Sequence, residues 1–158
     1  MNSSEETKAA FQRWLDGFNA RDSDAMIAEM HFPHLRLART KFDSWDTSVD
    51  WLSGHDALTE KLLAEDWDHT DLISMEAVQV SDEKVHLVLR QSRRKKDGTE
   101  YSGFDTLWVF TKEGGRWGAK LRSSFLTAKK SYLKFQRRAV SQANWANKKS
   151  FSRKLTRS

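Results

Sequence analysis

The chain has 158 residues, no cysteine, and 31% charged against 38% hydrophobic residues. That length fits one domain with a real core, and the missing cysteines exclude disulfide and thiolate chemistry. The net charge of +5 hides an asymmetry: residues 1–113 hold all 22 acids and 14 of the Lys/Arg, whereas residues 114–158 hold 13 Lys/Arg and no acid. No apolar run approaches the roughly 20 residues that span a bilayer, and MNSSEETKAAF lacks the basic-then-apolar pattern of a leader. A cytoplasmic protein with no membrane partner is expected.

In chain order, Ser3 and Glu6 form a capping-box pattern that starts a helix. Phe11, Trp14, Leu15 and Phe18 recur at helical spacing as its buried stripe. Asn19-Ala-Arg-Asp22 breaks it, and Asp22 or Ser23 caps a short second helix with Met26, Ile27 and Met30 inward. HFPHLRLA, from His31 to Ala38, is a strand whose proline fits an edge or first position. A return through Phe42 to Trp45 makes a hairpin. Thr47 or Ser48 opens a helical region to about Ala64, with an interruption at Gly54 left open; Leu58, Leu62 and Trp51 face in.

From about Thr70 the period changes to two. Asp71–Val80, Lys84–Lys95, Glu100–Lys112 and Arg116–Thr127 read as four long strands. Ser81-Asp-Glu83, Asp97-Gly98 and Gly114-Gly115 are their turns, the glycines supplying positive φ angles. The Glu100 strand alternates strictly: Phe104, Thr106, Trp108 and Phe110 point one way, Gly103, Asp105, Leu107 and Val109 the other. Helices first and hairpin strands after give an α+β fold, a strongly curved mixed or antiparallel sheet wrapped around the N-terminal helices with a pocket between them. After Thr127 the strand pattern ends, so the expected division is a domain over 1–127 and a basic extension over 128–158, partly helical or disordered.

AFQRWLDGFNARDSDAMIAEMHFPHLRLA resembles the opening of the nuclear transport factor 2-like superfamily, the SnoaL-like and ketosteroid-isomerase-like cone: an aromatic-bearing helix, an N-A-x-D break, a short helix and a strand. GRWGAKLRSSF resembles its usual last strand, and the HFPH-R string resembles an uncharacterised subgroup. The resemblance covers about residues 5–127. It implies the cone fold and a homodimer through the outer sheet face; no cofactor is expected. Its members include isomerases, cyclases, dehydratases, hydrolases and non-catalytic binding domains, so it leaves the activity open.

Each candidate site residue carries two readings. His34 and Arg36 share one strand face at the expected cone mouth: an acid/base with an anion anchor, or a backbone cap and a cross-sheet ion pair. Asp105 is the sole acid in the middle of its strand. It is either a general base or neutral donor with a raised pKa, or the partner of Arg90 or Arg122; that basic pair could itself clamp an anion. Trp14, Phe18, Trp45, Trp108 and Trp117 line the cone or fill its core. His55 and His69 lie in exposed-looking polar stretches without partners at ligand spacing, so no metal site is expected.

In the extension, Lys130, Lys134 and Arg138 recur every four residues beside Arg137, with Tyr132, Phe135, Ala139 and Ala143 as a modest apolar stripe. It reads as a phosphate-neutralising surface for nucleic acid, or as a solvated tail. The sequence thus leads to a domain that binds a small, partly apolar, anionic organic molecule, with cofactor-independent isomerase, dehydratase or cyclase chemistry if it is an enzyme. The alternative is a non-catalytic interaction module whose tail contacts nucleic acid or an acidic partner.

Overall fold

The structure, a computed structural model, describes residues 1–126. The chain divides into two units between Leu126 and Thr127, so the expected extension over 128–158, with its basic stripe, lies outside the described residues.

The elements are α1 (Ser3–Ala20), α2 (Ser23–Ala28), β1 (Met30–Ala38), β2 (Lys41–Trp45), α3 (Ser48–Ala64), β3 (His69–Val80), β4 (Lys84–Arg94), β5 (Glu100–Glu113) and β6 (Arg116–Ser124). Local chemistry sets their starts. α1 begins one residue earlier than the Ser3/Glu6 reading: Asn2 is the cap, its side chain accepting from the Glu5 amide while Glu5 reaches back to the Asn2 amide. Asp22 caps α2 and Thr47 caps α3. α3 runs through Gly54 without a break. The turn glycines adopt the expected positive φ, 84° at Gly98, 60° at Gly114 and 76° at Gly115.

The six strands form one curved, unclosed sheet in the order β2-β1-β6-β5-β4-β3. All neighbours are antiparallel except β1 and β6, which run parallel, so the sheet is mixed and the fold α+β. On β5, Phe104, Thr106, Trp108 and Phe110 are buried and the residues between them are not, matching the strict alternation. This face meets α1 through Ala10, Phe11, Trp14 and Leu15, with Val85, Leu87 and Leu89 of β4 and Ala119 of β6 completing the core. The aromatic centre is close-packed: Trp108 meets Phe11 and Trp14 edge-on at centroid distances of 5.0 and 4.7 Å.

Two irregularities decide which side chains reach the interior. Phe110 pairs with Ala119, but Val109 pairs with Leu121, so Lys120 is an extra residue in β6. Strict alternation from Trp117 and Ala119 would turn Leu121 and Ser123 inward. The bulge shifts the phase by one, and Arg122 and Ser124 face in beside Trp108 and Thr106 instead. In β1, residues 31–34 lie between the Met30–Ala119 and Leu35–Leu121 pairs, out of register with β6. The imidazoles of His31 and His34 fold back on β6 there, bonded to the carbonyls of Arg116 and Ala119.

Candidate functional site

Two cavities open between the sheet, α1 and α3. The inner chamber, about 40 Å³, is walled by Trp14 and Phe18 of α1, Gln91 and Arg93 of β4, Phe104 and Trp108 of β5, and Arg122 of β6. The outer cleft, about 660 Å³, lies between α3 and the β1–β2 hairpin. Arg36, Leu58, Arg93 and Leu126 line both, so two arginines stand at the junction.

Arg122 is the innermost of three guanidiniums. It is 9% exposed, and its Cζ lies 5.4 Å from the Trp14 ring centroid and 5.5 Å from that of Trp108, so two touching indole rings lie on one side of the cation. Its Nε–H is buried without a hydrogen-bond partner, and among the described residues no carboxylate pairs with it. Burial, then repulsion from Arg36 and Arg93, pushes its pKa down to about 9. A guanidinium does not give up its proton at neutral pH, so that push measures the cost of an unneutralised buried cation. Arg36 pairs in register with Arg122, and its pKa is also lowered, first by burial, with Asp43 opposing. Asp43 itself binds Lys41 at 3.3 Å. Arg93 is lowered by burial; it lies 5.2 Å over the Phe104 ring, and its nearest acid, Glu65, is 3.9 Å away. The Nε1–H groups of Trp14 and Trp108 are likewise buried without acceptors. The interior is therefore rich in positive charge and donors. Among the described residues, no acid lines the inner chamber, and Asp43 and Glu65 are the acids that line the outer cleft.

His34 is fully buried beside this cluster and stacks on Trp45 with a centroid distance of 6.1 Å. Its Nδ1–H donates to the Ala119 carbonyl at 2.9 Å, which leaves Nε2 as a lone-pair acceptor with no partner. Burial, then Arg122, pushes its pKa down to about 3, so the ring is neutral at physiological pH. It does not wall either cavity, and of its two readings the backbone contact is the one present.

The remaining expected residues divide between cavities and outer surface. Trp14, Phe18 and Trp108 wall the inner chamber, Trp45 the outer cleft, and Arg36 both. Asp105 does not face the cone. Its side chain is 61% exposed on the opposite face, ion-paired with Arg90 at 3.1 Å, because the phase that turns Trp108 inward turns Asp105 outward. Arg90 shares that outer position, so the cone holds neither a central acid nor an Arg90–Arg122 clamp. Trp117 lies away from both cavities, donating to Glu6 at 2.7 Å near the start of α1. His55 is buried at 8% exposure, stacked on Trp51 at 4.5 Å, rather than exposed. The Trp51, His55, Leu58, Leu62 stride at three- and four-residue spacing is the signal that places it. Arg93 was not foreseen, since Ser-Arg-Arg-Lys-Lys before a turn reads as a solvated end. Parity could have found it: Val85, Leu87, Leu89 and Gln91 are the buried positions, and Arg93 is the next on that face. Among the described residues, no group of three His, Asp or Glu is placed to hold a metal ion, and no helix is long and apolar enough to cross a membrane.

Solved structures share this arrangement. A protein of unknown function with a cystatin-like fold from Nostoc punctiforme superposes with a TM-score of 0.66 at 9% identity, over 78% of this chain and 90% of that one. An NTF2-like protein with a cystatin-like fold from Novosphingobium aromaticivorans gives 0.62 at 16% identity, over 79% and 82%. An NTF2-like protein of unknown function from Shewanella oneidensis gives 0.60 at 14% identity, over 76% and 96%. At such identities the likeness concerns fold alone. A search of curated proteins found no match. The family model described as NTF2-like protein (DUF6841) matches residues 4–119, most of the chain, and the chain belongs to that family of NTF2-like proteins.

Proposed function

We propose that the cone binds a small organic carboxylate, its charge held by Arg122 and Arg36 and its apolar part against Trp45, Leu58 and Leu62 of the outer cleft. The observation that carries this reading is the convergence of Arg36, Arg93 and Arg122 around a buried chamber that no acid lines. An uncompensated buried cation is costly unless an anion arrives to satisfy it, and guanidinium groups match carboxylate geometry. Binding, rather than acid/base catalysis, is the better-supported activity. Asp105 is outside, and a neutral His34 whose pKa is near 3 is a weak base at pH 7.

Calorimetry with phenylacetate and hexanoate at low ionic strength tests the reading. Arg36→Ala should weaken the tighter of the two at least tenfold, about 1.4 kcal/mol, with the fold intact by circular dichroism. Unchanged affinity removes Arg36 from the site, and no binding of any carboxylate at millimolar concentration overturns the proposal.

We further propose that the chain forms a twofold dimer through the outer sheet face. Adjacent strands bring Val88 beside Leu107 and Val109 beside Leu121, with Leu35 next in line. Val88 and Leu37 of this face are 43% and 38% exposed, an apolar surface that a second copy would cover.

A further inference from the structure

The two cavities differ in size in a way that restricts the ligand's form. At roughly 10–15 Å³ per water-sized group, the inner chamber of about 40 Å³ admits about three such groups, the size of a carboxylate and not of a ring. The outer cleft of about 660 Å³ lies within the range of small-molecule sites. Because Arg36, Leu58, Arg93 and Leu126 border both, a ligand reaching Arg122 must leave its body in the outer cleft.

That cleft is itself cationic. Arg36, Arg39, Lys41, Lys61 and Arg93 line it against Asp43 and Glu65. Both acids are already engaged, Asp43 with Lys41 at 3.3 Å, and Glu65 with Arg93 at 3.9 Å and the Tyr101 hydroxyl at 3.2 Å. With Arg122 added, the described residues that line the connected space include six cations and two acids. One carboxylate at Arg122 leaves this excess standing in the outer cleft, which Lys61 of α3 and Arg39 and Lys41 of the hairpin line.

We propose that the natural ligand is an elongated dianion, such as an α,ω-dicarboxylate, seated with one compact carboxylate at Arg122 in the inner chamber and a second anionic group in the outer cleft near Lys41 and Lys61. The proposal rests on the carboxylate reading above and adds the second charge and the orientation. Its chemistry selects against monoanions of the same length, which fill the same volume but leave Lys61 with no carboxylate among the described residues and Lys41 with Asp43 alone.

The experiment is calorimetric titration of the full chain with linear α,ω-dicarboxylates of about four to ten carbons and with their monomethyl esters, at low salt, where surface charges act at longest range. Arg122→Met supplies the baseline for anion binding elsewhere on the chain. The expected result is that at least one dicarboxylate binds tenfold or more tightly than its monoester. The double variant Lys41→Ala/Lys61→Ala should abolish that preference while still binding the monoester, and Arg122→Met should abolish specific binding of both. Equal affinities of diacid and monoester overturn the dianion proposal and leave the carboxylate reading standing. A preference that survives in Lys41→Ala/Lys61→Ala overturns the placement of the second charge. No binding of either series above the Arg122→Met baseline overturns both readings.

Discussion

Arg122→Met should make the ligand-free protein more stable and deprive it of its ligand. The drop in the Arg122 pKa from 12.5 to about 9 corresponds to roughly 5 kcal/mol of disfavoured charge, at about 1.36 kcal/mol per pKa unit. Against that stand two indole contacts at 5.4 and 5.5 Å, each worth about 1–2 kcal/mol when desolvated. The difference, about 1–3 kcal/mol in favour of methionine, agrees in size with replacements of buried ions by apolar side chains in other proteins. Methionine keeps an unbranched stem beside Trp14 and Trp108, and its sulfur makes favourable contacts with aromatic rings. Urea unfolding followed by tryptophan fluorescence, at pH 7 without added anion, gives the comparison. The midpoint should rise with an unchanged denaturant slope, while carboxylate binding vanishes. A loss of more than about 1 kcal/mol in the variant would refute the reasoning: Arg122 would then be a structural cation satisfied within the fold rather than a charge kept for a ligand.

Acid should destabilise the domain through its buried histidines. His34 has a folded pKa of about 3 against 6.5, and that of His55 is lowered as well, by burial and then by Arg122. The unfolded chain therefore binds more protons across this window; the stability is complete above about pH 6.5 and is lost as pH falls toward 3. Between pH 7 and pH 5, His34 alone contributes a loss of roughly 2 kcal/mol, readable by urea unfolding, and a flat profile would sink the assignment of a neutral buried ring. Gly118→Ala should cost about 1–3 kcal/mol, since its new methyl would sit 2.6 Å from His31 Cδ2, in a ring held on both nitrogens by Arg116; an unchanged urea midpoint would show that His31 yields freely. Sedimentation at micromolar concentration should give a dimer of the 18.4 kDa chain, and Leu107→Lys should shift it to monomer; a wild-type monomer would contradict the outer-face interface.

The fold was legible because its signals are local. Capping side chains at Asp22 and Thr47, paired glycines at the turn after β5, and the run from Phe104 to Phe110 each act within a few residues. Site residues followed only where parity extended from such a run: Trp108 lay on the buried face and Asp105 was bound to the other, but the chemistry expected of a lone mid-strand acid competed with the geometry. Arg122 demanded more, since its side depends on Lys120 being unmatched in β6, a property of how two strands pair rather than of either strand. The out-of-register stretch of β1 hid His34 for the same reason: one residue of β6 spans four of β1, and the imidazole bonds backward to Ala119 instead of entering a cavity. Arg93 was obscured by its basic neighbours, although the period of β4 reaches it.

The extra residue in β6 has a consequence for how such a domain could change its ligand. Removing Lys120 alone would abolish the bulge and still keep Arg122 inward, since Ala119, Leu121 and Arg122 would then alternate in, out and in opposite Phe110, Val109 and Trp108. The charge of the interior would survive that change in strand length, whereas Lys120 kept and drawn into regular alternation would carry Arg122 to the outer surface. Relatives with the same inventory of arginines and tryptophans can therefore differ in ligand class: an odd spacing from Trp117 to the arginine holds it inside only with a bulge, and an even spacing only without one. The pairing of two strands, read together with the residue count along one of them, therefore sets the charge of the interior.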